Sequence, residues 1–64
     1  MNESQINAIK CIHADAVGAF EFAHIEGYLN TNNGHNWEAH RKSIKELESA
    51  FPNILAPVDL NFDF

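Results

Sequence analysis

From Asn2 to Leu29 the chain carries no proline and reads as one helical pattern that is apolar along two opposite sides. At about 100° per residue, Ile6, Ile9, His13, Ala16, Phe20, Ala23 and Gly27 share one side. Cys11, Gly18, Phe22, Ile25 and Leu29 share the other, with Asp15 taking one step. A helix that is apolar on both sides must be covered on both sides. The rest of the chain therefore has to supply two covers, or a second molecule has to supply one.

Its own cover is a second, simpler helix. "NESQ" opens the first helix as a capping box, with Asn2 and Gln5 exchanging bonds with each other's backbone. "NTNNG" (Asn30 to Gly34) favours turns and left-handed backbone, which places the break there. The second helix starts near Asn36, carries Glu38 in its first turn, and is ended by Pro52. Trp37, His40, Ile44, Leu47 and Phe51 form one narrow seam, and Glu38, Arg41, Lys42, Lys45, Glu46, Glu48 and Ser49 form a solvated face. The expected boundaries are a helix over about 3–29, a turn over 30–35, a helix over about 36–51 and an extended tail over 52–64.

Volume matching sets an expected register, with His40 near Gly27, Ile44 near Ala23, Leu47 near Phe20 and Phe51 near Ala16. The second stripe then pairs with its own copy across a two-fold axis: Gly18 against Phe22 of a second chain, Cys11 against Leu29. The fold class predicted is all-α, an antiparallel helical hairpin that dimerises into a four-helix assembly with an extended C-terminal arm. Phe20, Ala23, Trp37, Ile44, Leu47 and Phe51 are its expected interior. Cys11, Gly18, Phe22, Ile25 and Leu29 are its expected dimer interface. Length agrees, because a chain of 64 residues buries only about 60% of its unfolded surface and needs a staple. One cysteine excludes an internal disulfide, which leaves oligomerisation. The competing arrangement is a monomer whose tail folds back over one stripe.

Signatures of chemistry are missing. No Cys/His cluster has zinc spacing, no two histidines stand at i, i+4, and no phosphate loop or Ser-His-Asp order occurs. Neither a metal nor a cofactor is expected, and the chain is read as non-enzymatic. His13 and His40 are expected on the hairpin seams, near each other or near backbone carbonyls. Cys11, on an apolar stripe, is expected to pack rather than react. The net charge of −5 and only four Lys and Arg residues argue against direct nucleic-acid binding. The start "MNESQINAIK" lacks a basic region followed by an apolar run, and no apolar stretch approaches a membrane span. A cytoplasmic setting is expected.

The tail holds the one candidate recognition element. Ile54 and Leu55 are expected to cap the open end of the hairpin, near Ile9 and His13. After Pro57, Val58, Leu60, Phe62 and Phe64 alternate with Asp59, Asn61 and Asp63, a period of two that fits an extended strand. Such a strand can lie in a groove of its own dimer, add to another protein's sheet edge, or dock its terminal Phe64 and Asp63 in an apolar pocket with a basic rim. "DLNFDF" resembles the acidic, phenylalanine-terminated tip of bacterial single-stranded-DNA-binding proteins, which implies recruitment of a protein partner. Asp59, Leu60, Phe62, Asp63 and Phe64 are the expected docking residues.

Taken together, "MNESQINAIKCIHADAVGAFEFAHIEGYLN" and "NWEAHRKSIKELESAF" resemble the small accessory proteins of lambdoid bacteriophages, encoded between the exonuclease and excisionase genes. That resemblance implies a regulator or adaptor acting through protein contacts in the host cytoplasm. Two other readings compete with it. In one, Glu3, Asp15, Glu21, Glu26, Asp59 and Asp63 make the chain an acidic decoy for a nucleic-acid-binding surface. In the other, Arg41, Lys42 and Lys45 touch DNA directly.

Overall fold

The computed structural model of the protein describes residues 1–29 and 34–61. Two helices pack antiparallel, α1 over Glu3–Ile25 and α2 over Trp37–Ala50, and the described residues contain no strand. The 23 residues of α1 rise about 34 Å, which accounts for most of the molecule's 39 Å long axis.

Each helix begins where its cap dictates. Gln5 N donates to Asn2 Oδ1 at 2.8 Å and Asn2 N donates to Gln5 Oε1 at 3.0 Å, the reciprocal box expected from "NESQ". Asn36 Oδ1 accepts from Ala39 N at 3.0 Å and opens α2. Pro52 closes α2, with Phe51 already out of helical geometry.

The end of α1 departs from expectation. The helix stops at Ile25, not Leu29, because Gly27 takes a left-handed φ of +77°. Gly27 N donates to His24 O at 3.1 Å and Tyr28 N donates to Ala23 O at 2.7 Å, the two bonds of a Schellman turn. Its customary apolar contact is present too, as Phe22 and Tyr28 meet edge to face with centroids 6.4 Å apart. A Cβ built at Gly27 meets nothing, so a side chain there would cost only backbone strain. Gly27→Ala is expected to lower stability by about 1–2 kcal/mol, read as a reduced urea midpoint with unchanged slope.

That early reversal resets the packing. The chain doubles back beside α1, Leu29 enters the interior at 8% exposure, and α2 starts alongside Phe20. His40 consequently lies against Phe20 and Ala16 rather than near Gly27, a slip of seven to eleven residues along α1 from the expected register. A slip of two or three whole turns leaves the apolar seam in phase, so the seam pattern alone does not distinguish the two.

The core joins three segments. Val17, Phe20 and Ala23 from α1, Leu29 from the connection, Ile44 from α2 and Leu60 from the tail form one buried cluster, with Ala16, Trp37 and Val58 packed against it. Phe20, Ala23, Ile44 and Trp37 are the expected members of this cluster, whereas Leu47 and Phe51 are only half-buried. Through Asn61 the tail is no free arm. It turns at Phe51, whose carbonyl accepts from Ile54 N and Leu55 N, and then runs back over the hairpin with Leu55 and Leu60 buried.

Candidate functional site

The tail is fastened to the helices by one carboxylate. Sequence pattern puts Glu48 on the solvated face of α2, yet the residue is only 7% exposed. Its Oε2 accepts from His13 Nε2 of α1 at 2.7 Å and from the Val58 amide of the tail at 3.1 Å. Its Oε1 accepts from Lys45 Nζ at 3.2 Å, and Lys45 also donates to the Val58 carbonyl. Burial alone would raise the carboxyl's pKa, but the bonds from His13, Val58 and Lys45 together outweigh it and hold the group below its ordinary value of 4.5. Both oxygens are engaged by the fold, so this is a structural junction. His13 meets this carboxylate rather than His40.

A second polar arrangement lies at the start of α2. His40 Nε2 donates to the Ala16 carbonyl at 2.9 Å, which fixes the ring's tautomer when it is neutral. Its Nδ1 then accepts from His35 Nε2, also at 2.9 Å. His35 stacks edge to face on Trp37 with centroids 4.4 Å apart. The pair stands at i, i+5, outside the i, i+4 spacing by which two ligands usually share a helical face. It is nevertheless the interval that joins the residue before an N-cap to the fourth helical residue, where an apolar staple usually sits. Asn36, as the cap, is the signal in the sequence that brings the two rings together. Among the described residues, Trp37 Nε1 is buried without an acceptor.

The outer side of α1 remains open. Phe22 is 59% exposed and Ile25 78%, with Tyr28 leaning on Phe22 and with Cys11 and Gly18 exposed on the same face. Cys11, Gly18, Phe22 and Ile25 are four of the five residues expected at a dimer interface. The fifth, Leu29, is not on that face, because it leaves the helix after Gly27 and serves the chain's own core. Of the expected docking residues, Asp59 is exposed and Leu60 is 1% exposed. Leu60 therefore cannot serve a partner while the tail is seated. Phe62, Asp63 and Phe64 lie outside the described residues.

Between the helices runs an apolar groove of about 470 Å³, lined by Ile12, Ala16, Ala39, His40, Ser43 and Leu47 among others, with no carboxylate, lysine or arginine. The basic side chains Arg41, Lys42 and Lys45 share a separate surface with Glu38, Glu46 and Asn61, and Arg41 Nη2 is bound to Glu38 Oε1 at 2.6 Å. Acidic neighbours thus divide the field a phosphate backbone would need. Among the described residues no three His, Cys, Asp or Glu side chains gather to hold a metal, and no helix is long and apolar enough to cross a membrane. Compared with known proteins, the chain matches no family model, no curated protein and no solved structure.

Proposed function

We propose that this chain is a non-enzymatic protein-interaction protein, a homodimer joined through the outer face of α1, acting as a phage-type accessory regulator or adaptor on host or phage proteins. The observation that carries this reading is the ridge of Phe22, Ile25 and Tyr28 left in water by a chain that has already used α2, Leu29 and its tail to cover the other side. Contiguous apolar surface of this kind marks contact sites in small proteins. Gly18 leaves a flat step beside the ridge, since a Cβ there would meet nothing, and a partner's aromatic ring fits against such a step. The contact residues are Cys11, Gly18, Phe22 and Ile25. Asp59 with Phe62, Asp63 and Phe64 forms the segment offered to a further protein partner.

The test is molar mass in solution by light scattering. Wild type is expected at twice the chain mass of 7.2 kDa and Phe22→Asp at the single mass, with helical circular dichroism retained in both. Phe22 is mostly exposed, so the substitution spares the hairpin interior. A monomeric wild type removes the dimer, and a dimer indifferent to Phe22→Asp places the contact on another face.

A further inference from the structure

We propose that His35 and His40 form a two-nitrogen chelate for a late first-row transition-metal dication, copper(II) above nickel(II) and zinc(II). The two ring nitrogens that face one another, His35 Nε2 and His40 Nδ1, are 2.9 Å apart. Two nitrogens each bound to one ion at about 2.0–2.1 Å stand roughly 2.9–3.4 Å apart for angles from square-planar to tetrahedral. The present separation is already at the near end of that range. Because the two nitrogens now aim at each other along a hydrogen bond, the exposed His35 side chain, the less constrained of the two, has to swing aside so that both lone pairs meet at a common point.

His40 carries the arrangement that ligating histidines need. Its Nε2–H is committed to the Ala16 carbonyl, so Nδ1 presents a lone pair, and the same bond holds the ring in place. The backbone between the two rings is pinned as well, because Asn36 caps α2 through Ala39 N. Capture of the ion requires no net proton release: the proton His35 now donates from Nε2 moves to its own Nδ1. Water completes the coordination. Imidazole nitrogen as the only protein donor selects the late transition metals over magnesium and calcium, and copper(II) stands highest in the divalent series. Binding fastens His35, in the connection between the helices, to α2 and through Ala16 to α1, so the ion stabilises the hairpin by mass action.

The chain supplies its own reporter. Trp37 is the only tryptophan, with its ring centroid 4.4 Å from that of His35 and 5.0 Å from that of His40. Titrating copper(II) chloride into the full chain near neutral pH is expected to quench Trp37 emission saturably at one ion per chain and to raise the melting temperature. His35→Ala, at an exposed position, is expected to keep the fold and to weaken copper(II) binding by about tenfold or more. His24→Ala, exposed elsewhere on α1, is expected to leave copper(II) binding at wild-type strength. Unsaturable quenching, an unmoved melting temperature, or equal loss in His35→Ala and His24→Ala would each overturn the site.

Discussion

Glu48→Ala is expected to destabilise the protein by about 3–5 kcal/mol, the usual consequence of removing one member of a buried, hydrogen-bonded pair. A domain of 64 residues commands roughly 3–10 kcal/mol in all, so the substitution removes about a third or more of that stability. The loss has identifiable parts. His13 Nε2 and the Val58 amide are left without an acceptor, and Lys45 loses its carboxylate. Urea titration followed by circular dichroism measures it. Because both substitutions break one bond, the combined loss in a His13→Ala, Glu48→Ala double variant is expected to fall well short of the sum of the single losses. Additive losses would show that the pair is not coupled.

The same carboxylate sets a pH dependence. Its pKa in the folded state lies below the ordinary 4.5, so the folded state binds this proton less readily than the unfolded chain does. The stability it contributes is therefore complete above about pH 4.5 and is lost as the pH falls from there through the folded value. Glu48→Gln keeps the shape but cannot titrate. Its stability is expected to be lower than wild type at neutral pH and to fall less steeply below pH 4.5. Parallel curves for the two proteins would remove Glu48 as the source.

Leu60→Ala is expected to cost about 2–5 kcal/mol, the range for truncating a leucine in a packed core. The side chain is 1% exposed and sits among Val17, Phe20, Ala23, Leu29 and Ile44. A tail standing away from the hairpin predicts instead the half kilocalorie or less of an ordinary surface substitution. The urea midpoint separates the two outcomes directly. It also decides whether Leu60 itself is open to a partner, since a seated Leu60 is not.

Short-range chemistry carries most of what is legible in the sequence. Asn2 with Gln5, Asn36 and Pro52 each mark an end through a bond made or denied within a few residues, and the three ends fall where these residues put them. Gly27 carries a similar signal, with Tyr28 placed to close the turn. In the pattern, however, it passes for one more small residue on a seam, and the asparagine-rich run beyond it is the more conspicuous stop. Register and the role of Glu48 are not legible, for different reasons. Two seams with this spacing fit together equally well after a slip of two or three turns, and a glutamate on the polar side of α2 looks the same whether water or a returning tail lies over it. Leu60 is hidden by its own alternation with acids, which fits a docking strand and a strap over the core alike. The open outer face of α1, by contrast, is a matter of counting: two stripes, one helix to cover them.

Glu48 also has a consequence for how the hairpin finds its alignment. Aliphatic stripes repeating every seven residues tolerate a vernier error, and grease alone penalises such an error weakly. Displace α2 by one repeat toward the far end of α1, and the ionised side chain of residue 48 is delivered opposite Phe20, while His13 is stranded. A single charge thereby proofreads the mating of two otherwise interchangeable surfaces, rejecting the neighbouring notch by leaving a carboxylate in oil.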